Sequence, residues 1–221
     1  MYSVAIDGPS GVGKSSLARA VAKQFGMVYV DTGALYRCIG LYCVQNGIDS
    51  ADSEKVVDSL KNIKIDLRYV DGEQKVYLDG EDVSQDIRKL EVGVPTSNAA
   101  GIPQVRDFLK KLQQDMAKTH DVVMDGRDIG TAILPRADVK FFITADPKER
   151  AQRRFDQLMR KGKPAEYGDI LKDIMQRDKN DTGRLVAPLK AADDAVVIDT
   201  TKNTKEETVE VITSIIRSKL K

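Results

Sequence analysis

The chain has 221 residues, and its 35 Lys and Arg residues nearly balance its 34 Asp and Glu residues. This length suits one α/β domain with insertions and allows a substantial buried core. The near-zero net charge argues against attraction of the whole molecule to nucleic acid or to an anionic membrane. Any phosphate binding must therefore come from local clusters of charge.

Alternating strand and helix patterns predict the main architecture. Five short apolar, β-rich runs predict strands, in the order YSVAID, MVYVD, DVVMD, VKFFIT and AVVID. Helices are predicted for KSSLARAVAKQFG, GALYRCIGLYCVQNG, DSEKVVDSLKNI, PQVRDFLKKLQQDMAKT, Asp146 to about Lys161, about Glu166–Asp181, and TKEETVEVITSIIRSKLK. The pattern predicts an α/β fold in which a parallel five-stranded sheet has helices on both faces.

The segment from about residue 62 to 90 follows a different pattern. KIDLRYVDGEQKVYLDGEDV alternates apolar and polar residues and contains two Asp-Gly pairs. Such alternation around Asp-Gly turns is typical of antiparallel hairpins. We therefore expect a small antiparallel β insertion in the parallel fold.

Few residues could bind a metal through nitrogen or sulfur. Cys38 and Cys43 are the only cysteines, and His120 is the only histidine. Because a zinc site needs about four such ligands, we do not expect one. Two cysteines on one predicted helix are expected to be reduced, which suits a cytoplasmic protein. No apolar run approaches the ~20 residues of a membrane span, and the start MYSVAIDGPSG lacks the features of a signal peptide.

Asp7, Asp31 and Asp125 each end a predicted strand. In parallel sheets with helices on both faces, ligands bind beyond the carboxyl ends of the strands. We therefore expect the chemistry at this edge of the sheet.

The first predicted strand is followed by GPSGVGKS, which fits the phosphate-loop pattern G-x-x-x-x-G-K-[ST]. Its glycines let backbone N–H groups converge on phosphate oxygens at the positive end of the next helix. The residues expected to bind the nucleotide are Gly8, Pro9, Ser10, Gly11, Val12, Gly13, Lys14, Ser15 and Ser16. Lys14 would contact the β- and γ-phosphates, and the Ser15 hydroxyl would coordinate Mg²⁺. The alternative is an ordinary glycine-rich turn, but the position between a strand and a helix favours ATP with Mg²⁺ as the ligand.

Three classes of protein use such a loop. A GTPase needs a guanine-reading N-K-x-D segment after a late strand, and VKFFITADPKE contains none. A nucleic-acid motor is usually larger and carries a basic stripe, which the balanced charge argues against. A small-molecule kinase needs a second anion site and a cationic lid that excludes water during transfer. Because the sequence contains candidates for both features, we favour the kinase.

Candidates for the second anion site follow two of the predicted strands. Arg127 and Asp128 come directly after the third strand in DGRDIGT, and an arginine there can bind phosphate oxygens bidentately. Tyr36, Arg37 and Arg106 lie on predicted helices. For these three residues, packing or a solvated helix face is the competing interpretation.

The predicted lid carries Arg150, Arg153 and Arg154, which share one helix face at i, i+3 and i+4. Three like charges on one face disfavour the helix unless acidic residues compensate or an anion binds. We favour a lid that faces an anion, with a surface helix as the alternative.

Arg177, Asp181 and Arg184 stand at i, i+4 and i+7 in QRDKNDTGRLVAPL, with Arg184 close to the expected helix end. Spacing alone leaves two interpretations open, a solvated ladder of salt bridges and a row that faces a charged ligand.

Seven segments resemble bacterial cytidylate kinases, in the same order along nearly the whole chain. They are GPSGVGKSS, DTGALYR, SNAAG, PQVRDFL, DGRDIGT, ERAQRR and RDKNDTGRLVAPL. The phosphate loop is shared with many kinases, whereas DTGALYR, DGRDIGT and RDxxDxxRxxAPL together are specific to this family. The β insertion resembles the longer bacterial type. The resemblance implies one nucleoside monophosphate kinase domain over 1–221, with a monophosphate-binding region at about 32–103 and a short lid at about 148–164.

The resemblance also implies roles for individual residues. Substrate binding would involve Thr32, Tyr36, Arg37, Arg106, Arg127, Asp128, Arg177, Asp181 and Arg184, and catalysis would involve Lys14, Arg150, Arg153 and Arg154. Thr32 keeps the hydroxyl of a position that is often serine. Gly101 departs from the pattern, because relatives can carry a serine there that contacts the base. One base contact is therefore lost or passes to water, Ser97 or Asn98.

The implied reaction transfers the γ-phosphoryl group of ATP to CMP or dCMP. The implied cofactor is Mg²⁺, which either Asp7 or Asp125 could position through water. The implied partners are these small molecules alone, with no nucleic acid and no membrane, and the expected state is a monomer. Another small-molecule kinase, acting on UMP or a non-nucleotide acceptor, is the first alternative. A nucleotide-binding regulatory protein without an acceptor is the second.

Overall fold

A computed structural model describes residues 1–70 and 73–220 of the chain. They form two compact units. One consists of Met1–Tyr29 and the described residues from Thr119 onward, and the other of Val30–Lys118. The single domain expected over 1–221 and its regional boundaries stay predictions.

The strands are β1 (Ser3–Asp7), β2 (Val28–Asp31), β3 (Ile65–Val70), β4 (Glu73–Leu78), β5 (Glu81–Asp82), β6 (Val122–Gly126), β7 (Val139–Thr144) and β8 (Val196–Asp199). The α-helices are α1 (Lys14–Phe25), α2 (Thr32–Gln45), α3 (Ser53–Ser59), α4 (Gly93–Ala99), α5 (Pro103–Thr119), α6 (Pro147–Arg160), α7 (Tyr167–Thr182) and α8 (Lys205–Lys219). Single 3₁₀ turns lie at Leu60–Asn62, Asp86–Arg88 and Leu90–Val92, and a π-helical turn lies at Ile129–Ile133.

The five predicted strands form one sheet in the order β2-β6-β1-β7-β8. β1 pairs in parallel with β6 and β7, and β7 pairs in parallel with β8. The register places Asp7 opposite Gly126. The carboxyl end of β1, where the phosphate loop begins, therefore lies beside the end of β6, where DGRD begins.

The core of the first unit packs helices on this sheet. Leu17 and Val21 of α1 and Ile212 and Ile216 of α8 join the buried strand residues in one apolar cluster. Each such side chain contributes about 1.5–3 kcal/mol through burial. Helix α8 begins with a capping box, in which the Thr204 hydroxyl and the Glu207 carboxylate satisfy each other's backbone N–H groups. The core therefore fixes the sheet whose edge carries the phosphate loop.

The predicted β insertion forms an antiparallel sheet in the order β3-β4-β5, within the Val30–Lys118 unit. Asp79 and Gly80 join β4 to β5 with φ values of 53° and 94°. Positive φ at both central residues is typical of a type I′ hairpin turn, as the second Asp-Gly pair predicts. The first pair, at 71–72, lies outside the described residues.

Helix α2 is the centre of the core of the second unit. Its Leu35, Cys38 and Ile39 are fully buried in the cluster of that unit. A Cβ atom on Gly40 would lie 2.5 Å from the Thr96 hydroxyl oxygen and 2.8 Å from the Thr96 nitrogen. Glycine at position 40 therefore allows α4 to pack directly against α2.

Within the described residues, no helix combines the length and the apolar character that a membrane crossing requires.

Candidate active site

The phosphate loop runs from the end of β1 to the start of α1. Gly8 has a φ of 149°, and a Cβ atom there would lie 2.1 Å from the Ile143 carbonyl oxygen. Only glycine fits this approach of the loop to β7. Because α1 begins at Lys14, the loop backbone lies at the positive end of a 12-residue helix. This arrangement is typical of an anion-binding site.

The remaining loop residues have local contacts. Val12 is buried, and the Ser16 hydroxyl donates to the Gly13 carbonyl. The Pro9 carbonyl accepts from Lys14, and the Ser10 carbonyl accepts from Arg150. The loop is therefore held by side chains from α1 and α6.

Lys14 is buried, and its Nζ donates to the Pro9 carbonyl oxygen at 2.8 Å. Burial, followed by the nearby Arg127 guanidinium, lowers the pKa of Lys14 to about 7, while Asp125 and Asp7 act in the opposite direction. The nearby carboxylates thus do not fully offset the effect of burial on this pKa. Phosphate oxygens in contact with it would stabilise its charged form.

Asp125 accepts two hydroxyl hydrogen bonds at the end of β6. Ser15 Oγ donates to its Oδ2 at 2.8 Å, and the Tyr29 hydroxyl donates to its Oδ1 at 2.8 Å. Both carboxylate oxygens are therefore oriented next to the residue expected to coordinate Mg²⁺. Hydroxyl and carboxylate oxygens are the ligand types that Mg²⁺ prefers, so these residues fit the ion.

Asp7 has different partners. Its Oδ1 accepts from the Ile129 N–H at 2.8 Å, and its Oδ2 accepts from the Gly130 N–H at 2.7 Å. Burial, with a smaller contribution from the nearby Asp128, raises the pKa of Asp7 to about 6, against the effect of these two hydrogen bonds. Asp7 thus holds the π-helical turn that follows Arg127 and Asp128. Between the two aspartates that the sequence leaves open, the geometry favours Asp125 for positioning Mg²⁺.

Arg127, Asp181 and Arg184 form one charged cluster. Arg127 Nε donates to Asp181 Oδ2 at 2.7 Å, and Arg184 Nη2 pairs with Asp181 Oδ1 at 2.5 Å. The exposed fractions of the side chains are 28% for Arg127, 8% for Asp181 and 13% for Arg184. One carboxylate thus holds two guanidiniums side by side, and guanidiniums can bind phosphate oxygens bidentately.

Arg177 stands apart from this cluster. It pairs with Asp173 one helical turn earlier, and its side chain is 40% exposed. Helix α7 ends at Thr182, so Arg184 lies just beyond the helix rather than on its face. The three residues therefore do not lie on one helical face. The buried Asp181 pairs with the partly buried Arg184, whereas Arg177 forms a solvated salt bridge.

The three lid arginines of α6 have three different environments. Arg150 is buried and donates to the carbonyls of Ala145 and Ser10 and to the Asp178 carboxylate. Arg153 pairs with Glu149 and donates to the Thr200 carbonyl at 2.6 Å. These partners compensate much of the predicted repulsion.

Arg154 is exposed and donates to the Gln157 side chain. The three arginines therefore do not form one cationic face in this structure. Their action on phosphates stays a prediction.

The predicted residues of the second unit meet around α2. The Arg106 guanidinium lies 5.5 Å from the centre of the Tyr36 ring and donates to the Ala100 carbonyl at 3.1 Å. Arg37 Nη1 donates weakly to the Ile87 carbonyl at 3.4 Å. Thr32 is buried as the first residue of α2. The structure thus brings Tyr36 and Arg106 together. Because seventy positions separate them in the chain, local sequence patterns could not predict this contact.

Two contributors to the site were not predicted from the sequence. The Asp178 carboxylate accepts a hydrogen bond from Arg150. The segment RDKND contains both Asp178 and Asp181, and the sequence pattern pointed only to Asp181. Tyr29 reaches Asp125 from β2, where the apolar strand pattern suggested packing alone. The i+3 spacing of Asp178 and Asp181 could have identified the first, because both lie on one side of a helix.

Over residues 1–70 and 73–220, no three His, Cys, Asp or Glu side chains form a cluster that could hold a metal.

Comparisons with known proteins agree with these features. The cytidylate kinase family model matches residues 4–218. A cytidylate kinase of Caldicellulosiruptor bescii is 46% identical over 210 residues, covering 95% of this chain and 93% of its own. A cytidylate kinase of Lactobacillus johnsonii is 44% identical over 221 residues, covering 100% and 96%.

A crystal structure of an uncharacterized protein from Eubacterium ventriosum superposes with a TM-score of 0.52 at 14% identity over 98% of both chains, which supports the fold alone. The family model and the two relatives span nearly the whole chain. The chain therefore belongs to the cytidylate kinase family.

Proposed function

We propose that the protein transfers the γ-phosphoryl group of ATP to the 5′-phosphate of CMP or dCMP, which yields ADP and CDP or dCDP. The family membership and the phosphate loop support the kinase activity. The observation that carries the acceptor site is the Asp181 carboxylate between the Arg127 and Arg184 guanidiniums, because it holds together two groups that can bind an acceptor phosphate bidentately.

On the donor side, the loop Gly8–Ser16 would bind the phosphates of ATP through its backbone N–H groups. The Lys14 ammonium would leave the Pro9 carbonyl for the β- and γ-phosphates. The Ser15 hydroxyl, and Asp125 through water, would hold Mg²⁺, which would supply positive charge for the phosphates. Ser15 and Asp125 are already oriented by their mutual hydrogen bond, whereas Lys14 would exchange the Pro9 carbonyl for phosphate oxygens.

On the acceptor side, Arg127 and Arg184 would hold the monophosphate, with Arg177 as a further contact. Asp181 would orient both guanidiniums and bind the sugar, and Asp128 would lie near the sugar. Arg37 would help these arginines to hold the acceptor in line, and Thr32, Tyr36 and Arg106 would bind the nucleoside monophosphate. These roles follow from the family resemblance, and the pairing of Tyr36 with Arg106 supports them.

Transfer needs no covalent enzyme intermediate. An acceptor phosphate oxygen attacks the γ-phosphorus, the bond to the β-phosphate oxygen breaks, and ADP leaves. The acceptor phosphate is ionised at neutral pH, so no general base is required. Catalysis would consist of alignment and of charge stabilisation by Lys14, Arg150, Arg153 and Arg154 around a loose, anionic transition state.

An assay of ADP release tests the proposal. ATP with Mg²⁺ is supplied with CMP, dCMP, UMP, AMP or GMP, each alone. Strong stimulation by CMP and dCMP and weak stimulation by the others is the expected result. Stimulation chiefly by UMP, or by none of the five, would replace the proposal with another kinase or with a regulatory protein.

Two variants test the two halves of the site. Lys14→Ala should lower kcat by orders of magnitude while the protein stays folded, because it removes the cation at the transferring phosphate. Arg184→Lys should raise the KM for CMP, because lysine cannot bind a phosphate bidentately. Near-wild-type turnover of Lys14→Ala would contradict the phosphate-loop assignment.

A further inference from the structure

The β insertion contacts the first residue of the DTGALYR segment. Asp31 is the last residue of β2 and the N-cap of α2, where its Oδ1 accepts from the Ala34 N–H at 3.1 Å. The Asp31 N–H donates to Gln74 Oε1 at 2.9 Å, and the Asp31 carbonyl oxygen lies 3.5 Å from Gln74 Nε2. Gln74 belongs to β4 of the insertion.

This two-point contact is chemically specific. A primary amide carries one acceptor oxygen and two N–H donors, so it can pair with both the N–H and the C=O of one backbone residue, as a neighbouring strand would. Shorter, charged or apolar side chains cannot satisfy both groups at once. The Gln74 side chain therefore contacts the N–H and the carbonyl oxygen of one β2 residue, as the backbone of a neighbouring strand would.

A second residue of the insertion reaches the same aspartate. Arg88 Nη2 lies 3.5 Å from Asp31 Oδ2, and the Arg88 side chain is 52% exposed. Both carboxylate oxygens and both backbone groups of Asp31 thus have partners, which come either from α2 itself or from the insertion. The geometry of this N-cap depends on residues at least forty positions away in sequence.

Helix α2 carries the residues for which we propose acceptor binding. Thr32 directly follows Asp31, and Tyr36 and Arg37 lie on the next turn. The Arg37 guanidinium also donates to the Ile87 carbonyl, in the 3₁₀ turn that closes the insertion. The insertion therefore contacts this segment at its start and at Arg37.

We propose that the β insertion fixes the acceptor-binding segment 32–37, and that Gln74 is the positioning residue through which it acts. The inference rests on the proposed function for the identity of the acceptor. Gln74 would not touch the nucleotide, so its effect would reach CMP only through Asp31 and the start of α2.

The test compares Gln74→Leu and Gln74→Glu with Gln85→Ala. Leucine keeps most of the volume but removes both hydrogen bonds, and glutamate keeps an acceptor while losing the donor. Gln85 is exposed in the same insertion and serves as the control. We expect the KM for CMP to rise about tenfold in Gln74→Leu, with the KM for ATP and kcat within about twofold of wild type. Gln85→Ala should match the wild type.

Amide hydrogen exchange provides a readout that needs no substrate. Gln74→Leu should accelerate exchange at Asp31 and Ala34 relative to the α8 amides, because the N-cap loses its support. If Gln74→Leu does not fold, Gln74→Glu decides through the KM for CMP, which should still rise because the donor to the Asp31 carbonyl is lost and a negative charge is placed near the Asp31 carboxylate. Unchanged exchange at Asp31 and Ala34, or equal rises in the KM values for CMP and ATP, would overturn the inference. Absence of CMP stimulation in the wild type would instead overturn the proposed function.

Discussion

Asp181 holds Arg127 through a hydrogen bond of 2.7 Å that joins the end of α7 to the turn after β6. The same carboxylate pairs with Arg184, the second residue beyond that helix. Two segments that are 54 residues apart thus share one buried negative charge. Because the carboxylate orients two guanidiniums together, the pair with Arg127 defines an anion site more specifically than any single arginine does.

The first prediction concerns Asp181→Asn. The amide keeps the shape of the side chain but leaves two guanidiniums close together without their carboxylate, so their geometry should relax. We expect the KM for CMP to rise about tenfold or more, while the KM for ATP changes little. Steady-state kinetics with each substrate varied in turn measures both values.

Asp173→Asn is the matched control on the same helix. Asp173 pairs with Arg177 in a bridge whose side chains are 40% and 58% exposed, and such bridges contribute about 0–1 kcal/mol. The control should stay within about threefold of wild type. If Asp173→Asn raised the KM for CMP as much as Asp181→Asn does, the distinction between the buried cluster and the solvated bridge would be wrong.

The second prediction separates two roles of Arg150. Its guanidinium is buried and donates to Ser10, Ala145 and Asp178, contacts that lysine cannot reproduce together. Arg150→Lys should cost about 3 kcal/mol of unfolding free energy, which lowers Tm by about 6–12 °C for a chain of this size. Calorimetry without nucleotide gives the value.

Arg154→Lys is the control for this measurement, because Arg154 is exposed and contacts only Gln157 among the interactions seen for it. Its Tm should change by about 1 °C or less. A normal Tm combined with a large loss of kcat in Arg150→Lys would mean that Arg150 acts on the transferring phosphate and not as a tie between α6 and the phosphate loop.

The main elements of the fold follow from local patterns in the sequence. Each of the five strands is a short apolar run, and the Asp79-Gly80 pair forms the expected hairpin turn. These features depend on burial and on backbone conformation, which neighbouring residues in the chain largely determine. The strand order β2-β6-β1-β7-β8 depends on pairing between distant segments, so periodicity alone does not predict it.

The site was predictable where a motif fixes its own geometry, as in the loop from Gly8 to Ser15. Side-chain partners were less predictable, since they depend on which segments meet in space. Arg150 is an example, because its charge pattern favours a lid that faces an anion, whereas the side chain is buried and pairs with Asp178 of the next helix. Helical spacing likewise grouped Arg177, Asp181 and Arg184, although the helix ends at Thr182, before Arg184.

The third prediction concerns the carboxylate beside Ser15. Tyr29→Phe removes the hydroxyl that fixes Asp125 Oδ1 and leaves the aromatic ring in place. The net loss of one hydrogen bond, about 0.5–1.5 kcal/mol, should raise the Mg²⁺ concentration for half-maximal ATP binding by about two- to tenfold. Titration of ATP binding against Mg²⁺ measures this without turnover.

Tyr2→Phe is the control for that titration, since Tyr2 lies near the amino terminus and is exposed. Its Mg²⁺ dependence should match the wild type. Equal Mg²⁺ requirements in Tyr29→Phe and wild type would show that Asp125 does not need the tyrosine to orient Ser15.

The last prediction follows from the burial of Lys14, which lowers its pKa to about 7 in the protein without nucleotide. Phosphate oxygens favour the ammonium form, so ATP binding should raise that pKa and take up a proton. At about pH 8.5, where nucleotide phosphates are ionised, uptake should approach one proton, and ATP affinity should fall by up to about tenfold for each further pH unit. Calorimetric titration in buffers with different ionisation enthalpies measures the uptake, and Lys14→Met, which cannot be protonated, should abolish it. Equal uptake in Lys14→Met and wild type would assign the proton to another group and remove Lys14 from contact with the phosphates.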